Sequence, residues 1–327
     1  MIKSFRIIIL VSVMIIGLVG CGKQDKEDSQ KSQNNMTGEE KSIDKGQIKT
    51  RTVRDAFGEV EIPVKAERIV APYLEDYLVA LGKEPVVQWY TQTWGKQDYL
   101  NLDVPLFDIN GDIEVLLDSN PDLIILEGEP DAEKYEKYSK IAPTYWLPKD
   151  VNQNMSKTIQ TIGDILGVPE KAKEVLKSYE EKAAKAKEEL KKTVGNETVA
   201  VIRVNIGDKS LALFSSEKGF IGSTMYNDLG LTPHQMVKDV KDYHSVLSLE
   251  IIPQLDADHI FIFPSNGDWS SPENKEAIKS VEEGKLWQNL PAVKNGHVYK
   301  VDRSHWQTTA IKAKSMQIDD VLKELTK

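Results

Sequence analysis

The stretch from Val168 to Val194, VPEKAKEVLKSYEEKAAKAKEELKKTV, places apolar side chains at Val168, Ala172, Val175, Leu176, Tyr179, Ala183, Ala186 and Leu190, three or four residues apart, with Lys and Glu between them. This spacing is that of one long amphipathic helix. Pro169 suits a first helical position and Gly195 supplies the stop. At about 1.5 Å per residue such a helix spans nearly 40 Å, well beyond the mean globular helix of about 11 to 12 residues. Alternating strand and helix patterns lie on both sides of it. That arrangement predicts two α/β lobes joined by a stiff rod, the alternative being a long surface helix on a single domain.

On the N-terminal side, Arg51 to Pro63 reads as a hairpin turning at Phe57-Gly58. Strand patterns at Arg68–Ala71, Pro85–Trp89, Asp122–Leu126 and Thr144–Leu147 then alternate with helix patterns at Leu74–Leu81, Asp112–Leu117, Ala132–Tyr138 and Met155–Leu166. The same alternation returns beyond the rod, with strands at Thr198–Val204, Ser210–Phe214, His259–Phe263 and His297–Val301. Helices are predicted there at Ile221–Leu229, Asn274–Val281 and Thr309–Leu325. Strands and helices alternating through short loops imply mostly parallel sheets with helices on both faces. The resulting division is residues 50–167 for the first lobe, 168–194 for the bridging helix and 195–327 for the second lobe.

The chain has 327 residues, 40% of them apolar and 28% charged, which is ordinary globular composition. Its formal charge of −9 argues against nucleic acid as a partner. At the N-terminus, Lys3 and Arg6 precede the apolar run Ile7–Val19, which is short for a membrane span and fits a secretory signal over residues 1–20. The run ends in Leu18-Val19-Gly20-Cys21, which resembles a bacterial lipoprotein signal. Cys21 is the one cysteine in the sequence, so no intramolecular disulfide forms, and the resemblance implies lipidation on its sulfur. Residues 21–49, rich in Lys, Asp, Gln, Asn and Ser, read as a solvated tether. The expected location is the extracellular face of the cell membrane, or the periplasmic side where there is an outer membrane.

No Gly-x-Ser-x-Gly elbow, His-Glu-x-x-His, phosphate-cradling loop or dinucleotide fingerprint is present, and the five histidines lack ligand spacing. Several tryptophans fall instead at strand ends. Trp89 closes a strand, Trp94 lies in the loop after it, Trp269 follows the strand at 259–263, and His305-Trp306 follow the last strand. Ligands of open α/β sheets gather outside the carboxyl ends of the strands, so these positions describe a cleft that stacks on a large, partly apolar ligand. Arg203, inside a strand pattern, sits either at a sheet edge or aims at an anionic oxygen in the cleft.

The chain resembles the substrate-binding lipoproteins of bacterial ABC importers for ferric siderophores, of the class III periplasmic-binding-protein type. The resemblance rests on Arg68-Ile69-Val70 with Leu81-Gly82-Lys83-Glu84-Pro85-Val86, and on Asn120-Pro121-Asp122-Leu123-Ile124. It continues through Asp228-Leu229-Gly230-Leu231, Ser248-Leu249-Glu250, Leu255-Asp256-Ala257-Asp258-His259-Ile260-Phe261, Trp287, and Leu290-Pro291-Ala292-Val293-Lys294-Asn295-Gly296. It implies a non-enzymatic receptor that holds a ferric siderophore between its lobes and delivers it to ABC permease subunits. Iron is then bound through the siderophore, with no protein metal ligands and no cofactor. Arg203 and Trp306 match the expected pocket positions, Trp89 and Trp94 join them by location, and His305 and Trp269 are the further strand-end candidates. Glu114 and Glu250, expected to open a helix in each lobe, match the permease-docking positions. In the loop Ser215–Gly222, hydroxamate binders often carry Trp and Arg, and this sequence has no Arg there. With few cations expected in the pocket, a hydroxamate or mixed hydroxamate–carboxylate chelate is favoured. The alternatives are heme or cobalamin on the same fold, or an exported lipoprotein enzyme.

Overall fold

The computed structural model describes residues 49–92, 95–110, 113–207, 210–248 and 250–327, so Cys21 and Trp94 lie outside the described residues. The chain opens with β1 (Thr50–Arg54) and β2 (Glu59–Pro63), an antiparallel hairpin. The Asp55 carboxylate holds its turn by accepting from the N–H groups of Phe57 (2.7 Å) and Gly58 (2.9 Å).

A parallel layer follows in two ladders, one of β3 (Ile69–Val70), β6 (Leu123–Leu126) and β7 (Thr144–Trp146), the other of β4 (Gln88–Tyr90) and β5 (Leu106–Asp108). β3 pairs with β6, β6 with β7, and β4 with β5, all parallel. Val86 N–H donates to the Ile69 carbonyl at 3.0 Å and sets β4 beside β3. The order is therefore β5-β4-β3-β6-β7, a doubly wound sheet whose winding reverses between β3 and β6. That switch point is where open α/β sheets bind ligands.

The second sheet contains β8 (Thr198–Val204), β9 (Leu211–Phe214), β10 (Thr232–Pro233), β11 (His244–Leu247), β12 (His259–Pro264) and β13 (Val298–Lys300) in the order β11-β9-β8-β12-β13. β10 runs parallel along Thr198 and Val199. β8, β12 and β13 are parallel; β9 and β11 are antiparallel and make the other edge. β12, HIFIFP, is buried at every position, as expected of a continuous apolar run covered on both faces. Among the described residues no ladder joins the strands of the first half to this sheet.

Between them runs the helix Pro169–Thr193, with Pro169 in its first turn and Gly195 at φ 61° just past its end. Its buried residues are Ala172, Leu176, Tyr179, Ala183, Ala186 and Leu190, one face of the predicted stripe. They pack into a core shared by both halves, including Leu78 and Ile162 from the first and Met225 and Ile318 from the second. Residues 47–327 accordingly form one compact unit, so the rod is an axis of packing more than a bare spacer. The two halves are also tied directly. Asp76, fully buried in helix Glu75–Ala80, accepts from the backbone N–H of Lys312 (2.9 Å) and Ala313 (3.0 Å). These are first-turn amides of the C-terminal helix Ile311–Leu325, whose own N-cap residue Ala310 has no side-chain acceptor. Lys182 of the rod reaches Ser315 and Asp319 of the same helix, and Lys314 pairs with Asp228.

Two elements depart from the sequence reading. Residues 221–229, read as a helix, form a short α-turn at Gly219–Gly222 and then a π-helical turn at Ser223–Asp228. Glu250 lies in a turn before the 3-10 turn Ile252–Gln254, so it does not open an α-helix; Glu114 does begin the helix Glu114–Asp118.

Candidate ligand-binding site

A cavity of about 410 Å³ lies over the carboxyl ends of the parallel strands. Tyr73 follows β3, Trp89 is in β4, Ile109 follows β5, Glu127 follows β6 and Trp146 ends β7, and all five line it. The opposite wall comes from the second half of the chain, with Phe220, Tyr243 and the segment Arg303, Ser304, Gln307 and Thr308 after β13. The doubly wound order thus brings together residues as distant in sequence as Pro72 and Thr308.

Each ring is held from behind. Tyr73 sits at φ 68°, a left-handed conformation that costs a Tyr of order 1 to 3 kcal/mol and is tolerated only when its surroundings fix it. Gln97 donates to its carbonyl (3.3 Å), and its hydroxyl donates across the cavity to the Gln307 carbonyl (3.1 Å). Its ring meets Trp89 edge-on at 5.0 Å. Trp89 N–H donates to Glu75 Oε1 at 2.5 Å, and Trp146 donates through its indole to the Gly128 carbonyl and through its backbone to Asp55 Oδ2. Phe57 at the hairpin tip stacks on Tyr135 at 4.4 Å and meets Trp146 edge-on, so β1 and β2 brace this wall.

Polar groups on the walls fall into two sets. Arg303, Lys96 and Lys134 are cationic, so the cavity carries more positive charge than the sequence suggested. Arg303 is buried with its Nε donating to the Ser265 carbonyl at 2.9 Å, and burial lowers its proton affinity. Buried atoms of Gln97 (Oε1), Ser304 (Oγ) and Gln307 (Nε2) have no hydrogen-bond partner within the protein, which leaves an acceptor and two potential donors for a ligand. Carboxylates form the second set. Burial pushes Glu127 up to about 7. Glu75, behind Trp89, is pushed up to about 8 by burial, and the Trp89 N–H offsets part of that rise.

The predicted site residues separate. Trp89 lines the cavity. Arg203 lies in the central strand β8, paired to Ala212 and Phe263, so it is not at a sheet edge. Its Nε donates to Asn205 Oδ1 at 2.8 Å and its guanidinium lies 5.8 Å from the Phe214 ring centre; it does not line the cavity wall. Trp306 faces away from the cavity. It is fully buried, stacks on Phe261 at 5.3 Å and donates to Asp320 Oδ2 at 2.8 Å. His305 turns the same way, 2.7 Å from that carboxylate. Trp269 packs against the second core and donates to the Val301 carbonyl.

The reason is helical. Residues 303–306 form one helical turn, in which Arg303 and Ser304 line the cavity while His305 and Trp306 turn to Asp320; Gln307 and Thr308, just past the turn, also line the cavity. A strand-end rule finds Tyr73, Glu127 and Trp146 as well as Trp89. Phe220, Tyr243 and the 303–308 donors follow from no local signal. Among the described residues, no group of three or more His, Cys, Asp or Glu is arranged to hold a metal ion, and no helix is long and apolar enough to cross a membrane.

Comparison with known proteins places the chain. Residues 76–304 match the family model of the periplasmic binding proteins. The iron(3+)-hydroxamate-binding protein FhuD of Bacillus subtilis is 30% identical over 324 residues, covering 96% of this chain and 95% of its own. The iron(3+)-hydroxamate-binding protein YxeB of the same organism is 28% identical, with 85% of each chain covered. A solved FhuD-fold component of a ferrichrome ABC transporter from B. subtilis superposes with a TM-score of 0.69 at 29% identity, covering 84% of this chain and all of its own. Staphylococcus aureus SirA, solved with staphyloferrin B, gives 0.67 at 25% identity over 85% of this chain and 99% of its own. The chain belongs to the periplasmic binding protein family, and its fold is that of the class III members.

Proposed function

We propose that this periplasmic binding protein captures a ferric siderophore, of the hydroxamate or mixed hydroxamate–carboxylate class, and hands it to an ABC permease for iron uptake. The observation that carries the reading is the cavity itself. Five rings, Tyr73, Trp89, Trp146, Phe220 and Tyr243, surround it, and Arg303, Ser304 and Gln307 line one wall. Rings suit the apolar backbone of a wrapped chelate, and donors suit its iron-bound oxygens. The hydroxamate-binding relatives at 28 and 30% identity support the subclass. Three cations, Lys96, Lys134 and Arg303, make room for a carboxylate on the chelate. Iron enters and leaves inside its chelate, so the reading asks for no protein ligand to the metal and no bond-making chemistry. Anchoring through a lipid on Cys21 and docking through Glu114 and Glu250 belong to the same proposal. Both glutamates are exposed, each near an exposed apolar side chain, Leu117 and Ile251.

Two tryptophans in the cavity wall make intrinsic fluorescence the direct test. A ferric trihydroxamate is expected to quench it saturably at lower concentration than ferric citrate, a ferric triscatecholate, heme or cobalamin. Saturable quenching by heme or cobalamin with none by any ferric chelate would overturn the reading.

A further inference from the structure

Glu127 is an unusual residue for an iron-chelate cavity. It follows the central strand β6 at the switch point and lines the cavity wall, yet no Lys or Arg among the described residues forms an ion pair with it. Its polar neighbour is the Asn152 amide, which, in the orientation that satisfies both its groups, accepts from Gly128 N–H (3.1 Å) and donates to Glu127 Oε2 at 2.7 Å. A second buried carboxylate, Glu75, stands behind Trp89 with Oε2 unpartnered, and the charge of Glu127 adds to its cost of ionisation. Buried carboxylates are normally paired, because an uncompensated one loses its hydration with nothing in return. Here Glu127 lines the cavity.

Resting on the siderophore reading above, we propose that Glu127 sorts chelates by charge: it receives a positively charged arm, such as a primary ammonium, and rejects a chelate that presents a carboxylate to that wall. The Arg303, Ser304 and Gln307 wall takes the chelate's oxygens, and the cavity therefore suits a ligand with separated polar ends. Lys96, Lys134 and Arg303 line the same cavity and act in the opposite sense. The carboxylate governs at its own wall, where no Lys or Arg among the described residues is ion-paired with it. With Glu127 titrating at about 7, the preference belongs to the ionised form and fades in mild acid. The other charged or titratable groups facing this region are Tyr73 after β3, Glu75 and Tyr77 from helix Glu75–Ala80, Lys134 from helix Ala132–Ser139 and Tyr243 just before β11. Lys96 comes from the β4–β5 connection and Arg303 from the turn after β13.

The test uses one linear ferric trihydroxamate in three forms that differ only at its end: a free primary amine, the acetylated amine and the succinylated amine, carrying +1, 0 and −1. Titrated by tryptophan fluorescence at pH 8.5, the wild-type protein is expected to bind the amine at least tenfold tighter than the acetylated form, and the succinylated form weakest. At pH 6 the spread should shrink severalfold. Glu127→Gln should lose the ordering of the three forms at both pH values. Equal affinities, the reverse order, or an ordering retained by Glu127→Gln would each overturn the proposal while leaving the siderophore reading in place. Binding of none of the three would overturn both. The wild-type pH comparison decides the matter if the variant fails to fold.

Discussion

Two tryptophans predicted for one site, Trp89 and Trp306, have opposite duties, and burial separates them. Trp89 presents its ring to the cavity, whereas Trp306 has none of its surface exposed and is fixed by Phe261 and Asp320. Trp89→Ala and Arg303→Ala are therefore expected to weaken ferric-chelate binding by about 1 to 3 kcal/mol, the cost of losing a desolvated anchor or a charge-assisted bond. Trp306→Ala should instead lower unfolding stability by about 3 to 5 kcal/mol through the cavity it leaves. Fluorescence titration and urea denaturation of the three variants separate the effects. Chelate affinity falling in Trp306→Ala with stability unchanged would reverse the assignment.

Among the elements, the C-terminal helix Ile311–Leu325 depends on a residue from the other half of the molecule. Its first turn lacks a local cap, and Asp76 supplies the acceptor for Lys312 and Ala313 while also accepting from the Tyr99 hydroxyl at 2.7 Å. Burial raises its proton affinity and these three donors counter the rise. Removing the acceptor orphans two buried amides and a hydroxyl. Asp76→Ala should cost about 1 to 3 kcal/mol or more of stability. Faster amide exchange at Lys312 and Ala313 than elsewhere in the helix is the specific sign, and unchanged exchange there would show that the cap is dispensable.

For the molecule as a whole, buried acids set a pH dependence of stability. Glu75 and Glu127 hold protons up to about 8 and 7 in the folded protein against an ordinary 4.5. From about pH 4.5 upward the unfolded chain has lost these protons and the folded one retains them, so stability is highest in mild acid and falls as pH rises toward 8. A tenfold difference in proton affinity between the folded and unfolded chain is worth about 1.4 kcal/mol. The urea midpoint should drop between pH 5.5 and 8.5, and Glu75→Gln should reduce that drop; an unchanged drop would place its origin elsewhere. In cells, Cys21→Ala is expected to release the protein from the membrane fraction. Glu114→Ala combined with Glu250→Ala should bind ferric chelate normally and fail to support iron uptake, and normal uptake would remove the docking role.

The helix Pro169–Thr193 was readable from residue spacing because a helix buries one stripe of its own surface, and that stripe repeats locally every three or four positions. The strand β12 and the alternation of strands with helices were readable for the same reason: hydrophobic runs and turn residues act over a few positions. Trp89 and Glu127 follow from strand ends. The cavity does not follow from local pattern, because its walls join Tyr73 to Gln307 and set Phe220 and Tyr243 opposite Trp146 through sheet order alone. Local pattern also fails to separate Arg303 and Gln307 from His305 and Trp306, since one helical turn decides which pair faces the ligand and which faces the core. That choice rests on packing against Phe261 and Asp320, partners that only the folded chain brings within reach.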